Sequence, residues 1–213
     1  QYCKGHPWAR FGIDLCIGSE ADQPVTQRQM MFAPFYLMDA FDGAQIFTDT
    51  YSRPLVKANE LIIDVTPEPD ESDWMPTPLQ CSLLLFILTA AATIYGIRRR
   101  TGLWGIDLFL FGIAGIVGCV LAFLALFSQH PAVSSNFLLL VFHLGQLLFL
   151  PYIVYCVRKG KKCWYLTLNL VVLTLFIVLF PVIPQRFDFA VVPLALVLLI
   201  RSASNLIVTS KKK

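Results

Sequence analysis

Five long apolar stretches occupy the chain from residue 79 onward, and they constrain the fold more than any other feature. They cover residues 79–97, 108–127, 137–157, 164–182 and 189–208. Each is close to the length of about 20 residues with which an α-helix crosses the hydrocarbon core of a bilayer. Five buried helices of a large soluble protein are the alternative, but charges at alternating ends of the stretches favour a membrane. The sequence therefore predicts five transmembrane helices.

Clusters of Lys and Arg follow the first, third and fifth stretches and predict the orientation of the helices in the membrane. Arginines 98–100, the four basic residues within 158–162 and lysines 211–213 fall on one side, whereas the opposite loops hold Arg186 alone. Lys and Arg concentrate in the cytoplasmic loops of membrane proteins. We therefore expect the N-terminal region outside the cytoplasm and the C-terminus inside.

The region before the first stretch differs in charge and in pattern, since it holds 12 of the 14 acidic residues. Thr26 and Gln29 have the spacing of a capping box, and the apolar residues around Pro34 predict two short helices that break there. Residues 61–65 alternate weakly and could form a strand. The acidic, proline-rich residues 67–78 predict a linker.

These features divide the chain into an extracytoplasmic part (1–66), the linker (67–78), a membrane domain (79–208) and a cytoplasmic Lys tail (209–213). The predicted fold class is an all-α multi-pass membrane protein preceded by a partial, mostly helical segment. Roughly 70 residues with few strands barely support a core of their own. The chain also starts at Gln1 without a Met or a signal peptide. We therefore expect the rest of the extracytoplasmic domain to lie upstream.

Motifs that carry chemistry are absent from the sequence. There is no GxSxG, HExxH, Walker loop or Rossmann glycine pattern. The six cysteines show no metal-ligand spacing, and those in apolar stretches have the character of small hydrophobic residues. A Cys3–Cys16 disulfide is an option in an oxidising compartment. We expect no cofactor and no metal, and the net charge of +3 gives no reason for nucleic-acid binding.

Three polar residues near the outer ends of the stretches are candidate lipid or domain contacts: His130, His143 and Gln146. His130 would lie in an outer loop, where an imidazole could contact a headgroup or the upstream domain, or simply be solvated. His143 and Gln146 are three residues apart and would share a face of the third helix in its outer half. Polar groups there form interhelical hydrogen bonds or a polar pocket that meets lipid or substrate.

Charged residues and glycines within the stretches have structural interpretations. Arg201 lies near the inner end of the fifth stretch, and we expect its guanidinium to snorkel to the cytoplasmic face. Asp107 is within reach of the first basic cluster, so an interfacial ion pair is expected there. Gly112, Gly115 and Gly118 recur at a spacing that lets helices pack closely.

A set of short segments also follows a recognisable order along the chain. The set comprises Trp8-Ala9-Arg10-Phe11-Gly12-Ile13-Asp14-Leu15, Gly18, Asp22, Met31-Phe32-Ala33-Pro34, Tyr36-Leu37, Pro54-Leu55-Val56, Phe127-Ser128-Gln129-His130-Pro131-Ala132-Val133 and Asn136. With the five stretches, it resembles the Lnb lipoprotein N-acyltransferase family of certain Gram-negative envelopes. The resemblance runs from the end of the periplasmic domain through the five-helix transmembrane domain and covers nearly the whole chain.

The resemblance implies an inner-membrane enzyme that moves an acyl chain from a phospholipid to the N-terminal amine of a diacylated lipoprotein. Phospholipid and diacylated lipoproteins are thus the implied partners, and the N-terminal region would be periplasmic. The family's catalytic Cys and His lie in segments that this sequence does not contain, and neither Cys3 nor the Gly5-His6 pair has the neighbours to replace them. We assign no catalytic residue here and expect this chain alone to be inactive.

Two other classes of protein share these features. A non-enzymatic membrane module that anchors or assembles envelope components would have the same composition and is the alternative function. A transporter fits less well, because few charges lie within the stretches and no pair of Gly/Pro-broken helices recurs in matching repeats.

Overall fold

The structure, a computed structural model, describes residues 5–60, 62–63 and 75–210. The chain divides into two compact units, one formed by Gln1–Asp22 with Trp74–Lys213 and the other by Gln23–Asp73. The first 22 residues, which sequence analysis placed in the extracytoplasmic part, thus group with the membrane helices. Other predictions concern residues outside the described ranges, in whole or in part: the Cys3–Cys16 disulfide, the strand at 61–65, the linker at 67–78 and lysines 211–213.

The described residues form α-helices joined by short loops and 3₁₀ turns. The helices are α1 (Pro7–Cys16), α2 (Gln27–Met30), α3 (Pro34–Asp42), α4 (Pro78–Arg99), α5 (Trp104–Phe127), α6 (Leu144–Leu148), α7 (Leu150–Lys159), α8 (Trp164–Leu179) and α9 (Val191–Ser210). The 3₁₀ turns are Ser19–Asp22, Pro131–Val133 and Phe137–Leu140. The mostly helical class that the sequence predicted is confirmed.

The second unit contains α2, α3 and a small hairpin. A capping box between Thr26 and Gln29 starts α2, and Pro34 starts α3, where its missing N–H costs nothing. Both features confirm the predicted pair of short helices. Strands β1 (Gln45–Phe47) and β2 (Ser52–Pro54) then pair antiparallel, with Ile46 opposite Arg53.

Local sequence signals set both ends of α4. At its start, Thr77 Oγ1 accepts from Gln80 N at 3.3 Å and Gln80 Oε1 accepts from Thr77 N at 2.9 Å. These bonds satisfy two of the orphan donors of the first turn. At its end, Arg100 adopts a left-handed conformation with φ 54°, and Thr101 N donates to Gly96 O at 2.9 Å. The helix therefore begins and ends close to the predicted stretch.

The third stretch is broken, whereas the sequence predicted one continuous helix over 137–157. It forms a 3₁₀ turn and the short α6, then bends by 74° into α7. Pro151 lies in the first turn of α7. A proline has no N–H for the preceding turn and clashes with the carbonyl four residues earlier, so it breaks the helix at this position.

Within the described ranges, three helices, α4, α5 and α9, are long and apolar enough to cross a membrane, and the bent α6–α7 pair makes a fourth candidate. The apolar helix α8 is shorter, at 16 residues. The segments run alternately between two ends of the bundle. At one end of the bundle, called the α1 end, Trp8 Nε1 donates to Pro76 O at 3.0 Å. At the opposite end, called the basic end, the Arg158 guanidinium lies 5.7 Å from the centre of the Trp104 ring.

Candidate functional site

Side-chain amides at the α1 end tie α1 to the loops of the membrane helices. Asn136 Nδ2 donates to Leu15 O at 2.8 Å, and Gln185 Nε2 donates to Ile17 O at 2.9 Å. Gln185 Nε2 also donates to Asn136 Oδ1 at 3.2 Å, and Gln185 Oε1 accepts from Phe137 N at 2.8 Å. Both amides are buried. Because the last carbonyls of a helix have no partner within it, these contacts complete the C-terminal end of α1.

A glycine makes the closest approach in this junction. Gly18 N donates to Ala132 O at 2.8 Å. A Cβ atom on Gly18 would lie 1.8 Å from the backbone oxygen of Ser134, so a larger residue would have to displace the loop. We call Gly18, Asn136 and Gln185 the α1 junction. Gly18 and Asn136 belong to the segments that carry the family resemblance, and the structure brings them together.

A polar pocket of about 470 Å³ lies beside the α1 junction, between α1, the start of α4 and the loop before α9. Its charged lining residues are Arg10, Asp14, Asp22, Arg186 and Asp188. Arg10 and Asp14 pair along α1 at 3.7 Å. Partial burial raises the pKa of Asp14 above its ordinary value, Arg10 opposes this rise, and the carboxylates of Asp188 and Asp22 add to it. The pocket therefore offers a charged environment at the α1 end.

His143 belongs to a chain of hydrogen bonds that crosses the bundle. Its Nε2 lies 3.2 Å from Asn169 Oδ1, which is an acceptor, so Nε2 carries the proton and Nδ1 can accept from the Tyr165 hydroxyl at 3.4 Å. Asn169 Nδ2 then donates to Ser202 Oγ at 3.0 Å, and Ser202 Oγ donates to Leu198 O at 2.8 Å. This is the interhelical bonding considered for His143, and it connects the start of α6 with α8 and α9.

Gln146 lies on α6, but its side chain does not join that of His143. Gln146 Nε2 donates to Val141 O at 2.7 Å and so closes the open backbone of the break. Its Oε1 is buried and accepts no hydrogen bond from the residues that the structure describes. The regular helical face predicted for both residues is not formed, because His143 precedes α6 in an extended conformation, with φ −132° and ψ 151°.

Tight packing of α5 against this break confirms the interpretation of two of the three glycines. A Cβ on Gly118 would lie 2.6 Å from the backbone of His143, and one on Gly115 would lie 2.6 Å from Leu147 N. A Cβ on Gly112 would meet Leu150 Cδ2 at an ordinary 3.6 Å. Small residues at the first two positions therefore let α5 approach the broken segment closely.

His130 lies in the exposed loop at the α1 end. Its ring Nδ1 accepts from Ala132 N at 3.3 Å, and the backbone N–H of His130 donates to Ser128 Oγ at 3.2 Å. The ring thus stabilises a local turn, and the residue stays exposed. Contact with a lipid headgroup remains a prediction for this residue.

A buried ion pair lies towards the basic end. Arg201 Nε and Nη2 donate to Asp107 Oδ1 at 2.7 Å and Oδ2 at 3.0 Å, and Nη1 donates to Thr93 Oγ1 at 3.0 Å. The Arg201 and Asp107 side chains are each 2% exposed. The predicted snorkelling of Arg201 is therefore wrong, and so is the pairing of Asp107 with the first basic cluster. The bidentate pair instead joins α4, α5 and α9 inside the bundle.

An apolar groove of about 180 Å³ opens on the side of the bundle. Its lining residues share two properties: all are hydrophobic, and most lie on one face of α5 or of α9. Its wall at the α1 end is formed by Phe11 and Leu15 of α1. The other lining residues are Leu85 of α4 and Phe142 of the broken segment. The groove is therefore formed by the membrane helices and α1 together.

Comparison with known proteins now gives these features a family. Residues 70–213 match the family described as the Lnb transmembrane domain. This chain belongs to that family. No curated protein and no solved structure matches it. Membership confirms the family resemblance and shows that the Lnb-like chain is a membrane protein.

The matched residues of this Lnb family member contain the broken segment, the ion pair and most of the groove, whereas α1 precedes them. The sequence pattern gave no prediction for four residues that the structure places in these contacts: Thr93, Asn169, Gln185 and Ser202. The available signal was polarity inside or next to an apolar stretch, since such residues point into the bundle. Their partners, which lie up to 168 positions away along the chain, could not be found from spacing.

Proposed function

We propose that this chain is the membrane domain and part of the periplasmic domain of an Lnb-like lipoprotein N-acyltransferase. The complete enzyme would transfer an acyl chain from a phospholipid to the N-terminal amine of a diacylated lipoprotein. The observation that carries the proposal is the match of residues 70–213 to the Lnb transmembrane domain. The continuous resemblance through Trp8–Leu15 and the α1 junction supports it, because these segments belong to the same packed unit.

The same proposal includes five membrane spans in the bacterial inner membrane, with the α1 end in the periplasm. The matched family is named for five transmembrane helices, and α8 would be the fifth span despite its 16 residues. Basic residues at the opposite end favour a cytoplasmic location for that end. A fluorescent-protein fusion after Lys213 should fluoresce, since that fold matures in the cytoplasm, and a dark but intact fusion would reverse the orientation.

The membrane domain would hold the periplasmic part at the outer leaflet. Acyl transfer between two membrane-anchored lipids needs a nucleophile at the bilayer surface and apolar space for the chains. The α1 junction supplies a rigid attachment at that level, and exposed His130 would contact headgroups or the periplasmic domain. His143 and Gln146 would support the same surface from within, by holding the broken segment below it.

The chemistry itself would come from a Cys/His pair in family segments that these 213 residues do not contain. A thiolate would attack an ester of the phospholipid and form a thioester with the acyl chain as the lysophospholipid leaves. The lipoprotein amine would then attack the thioester, which forms the amide and releases the thiolate. The alternative remains a membrane module that anchors or assembles envelope components without catalysing a reaction.

Lipoprotein acylation in cells tests the proposal. A strain that lacks the parent protein is complemented with the full-length gene, with its upstream-cysteine variant or with this chain alone, and lipoprotein N-termini are read by mass spectrometry. Restoration of the third acyl chain by the full-length gene alone would support an acyltransferase. Unchanged acylation in the deletion strain would instead favour the anchoring module. Alanine at His130, His143 and Gln146 together should reduce acylation, and full activity of that variant would remove their proposed role.

A further inference from the structure

We propose that the lateral groove, which is lined mainly by α5 and α9, binds one acyl chain of a bilayer phospholipid. This inference rests on the membrane placement that family membership shows, and it goes beyond the transfer reaction by locating a lipid-binding site. Its test does not measure acyl transfer, so the two proposals can fail separately.

The floor and the mouth of the groove differ in exposure. The floor consists of side chains that are at most 7% exposed, including Leu110, Ala114 and Leu198. At the mouth, Phe109 is 63% and Ile113 is 47% exposed. The groove is therefore an indentation that opens sideways from α5, and not a sealed cavity within the core.

Helical periodicity gives the groove its elongated shape. On α5 the lining residues Phe109, Ile113 and Val117 recur every four positions and make a stripe about 12 Å long at ~1.5 Å per residue. On α9, Leu194 and Leu198 recur at the same spacing. A groove lined by two such stripes matches an extended hydrocarbon chain better than a compact ligand.

The surroundings decide what fills this groove. Helices α5 and α9, which supply most of its lining, are both long and apolar enough to cross a membrane, so its mouth faces the hydrocarbon of the bilayer. Its volume of about 180 Å³ exceeds the ~150 Å³ of an engineered apolar cavity that binds benzene. Polar ligands are disfavoured by a lining without a polar side chain. Acyl chains are the molecules present at this depth, and the groove has room for a segment of one of them.

The wall formed by α1 is held firmly in place. The α1 junction bonds Asn136 to Leu15 O and Gln185 to Ile17 O, and Trp8 Nε1 bonds to Pro76 O before α4. Leu15 thus contributes its side chain to the groove and its carbonyl to the junction. An acyl chain bound in the groove would therefore end directly beneath α1 and beside the polar pocket. The charged residues of that pocket would contact the lipid headgroup.

Photolabelling with a diazirine phospholipid tests the inference. The purified 213-residue protein is placed in liposomes that contain phosphatidylethanolamine with a diazirine in one acyl chain, irradiated, digested and mapped by mass spectrometry. Chain binding predicts labels on buried floor residues such as Ala114 and Leu198, as well as on outward positions such as Val120. Labels on outward positions alone, with none on the floor, would overturn the proposal.

Matched substitutions on α5 sharpen the test. Val117→Phe places a ring in the groove, whereas Val120→Phe makes the same change at a residue that is 51% exposed and does not line it. Floor labelling should fall about fivefold in the first variant, because the ring takes up space that the chain needs, and should be unchanged in the second. Equal floor labelling in both variants would contradict the proposal.

A second pair of substitutions provides a test in case Val117→Phe does not fold. Ile113→Phe changes a half-exposed residue at the mouth, and Ile116→Phe changes a neighbour that is 57% exposed and outside the groove. Thermal unfolding in detergent should give similar midpoints for these two variants and the parent sequence. Reduced floor labelling in Ile113→Phe alone would support the site, and no difference between the pair would count against it.

Discussion

Arg201→Met is expected to destabilise the bundle strongly, because it leaves the buried Asp107 carboxylate without its cation. The substitution removes three hydrogen bonds, of 2.7, 3.0 and 3.0 Å. Side-chain hydrogen bonds in membrane proteins average about 0.6 kcal/mol, so their loss contributes roughly 2 kcal/mol. An unpaired Asp within a membrane helix adds up to ~2.5–3.5 kcal/mol. These contributions sum to at most about 5 kcal/mol, and the expected cost is about 3–5 kcal/mol, as for other buried pairs that lose one partner.

The double variant Asp107→Leu/Arg201→Met separates the charge from the packing. Because no unpaired charge remains, it should cost no more than about 1 kcal/mol relative to the parent sequence. Arg98→Met is the matched control at an exposed arginine near the same end, with an expected change below ~0.5 kcal/mol. Unfolding in mixed detergent–SDS micelles, followed by Trp fluorescence, gives these free energies. A double variant as unstable as Arg201→Met would refute the reasoning, and so would a single variant that costs less than 1 kcal/mol.

Three further outcomes are expected. Gly18→Ala should loosen the packing of α1, because the added Cβ would lie 1.8 Å from a backbone oxygen. The expected result is faster hydrogen exchange over residues 7–22. The control Gly12→Ala should leave this exchange unchanged, because its Cβ would have no neighbour within 4 Å. Gly118→Ala, with a 2.6 Å approach, should cost about 2 kcal/mol or more in the same unfolding assay, and Gly112→Ala, with an ordinary 3.6 Å contact, should be nearly neutral. The raised pKa of Asp14 favours its protonated form in the packed state. Protection of α1 should therefore decline as pH rises above about 4, the ordinary pKa of an Asp carboxyl, and Asp14→Asn should abolish that decline.

Features that depend on neighbouring residues were predictable from the sequence. Four of the five apolar stretches correspond to single helices, because length and hydropathy are local properties. The Thr26–Gln29 capping box forms as its spacing predicted. Pro34 separates α2 from α3 for an equally local reason, since a proline is tolerated in the first turn of a helix and not inside it.

Features that depend on distant residues were missed. The depth of Arg201 along its helix predicted snorkelling, but its partner Asp107 lies 94 positions away and satisfies it inside the bundle. The break in the third stretch was missed although Pro151 is visible in the sequence, because hydropathy continues across it without change. Helix α1 was not predicted, and its position on the membrane helices depends on the amides of Asn136 and Gln185.

Transfer in a purified system tests the central claim most directly. The full-length parent protein is reconstituted in liposomes with a phospholipid that carries an isotope-labelled acyl chain and with a synthetic diacylated lipopeptide, and the lipopeptide is analysed by mass spectrometry. We expect the labelled chain to appear on the N-terminal amine, and to be absent when the upstream cysteine is replaced. An unmodified amine, from protein that is folded and inserted, would contradict the assignment of this chain to an acyltransferase.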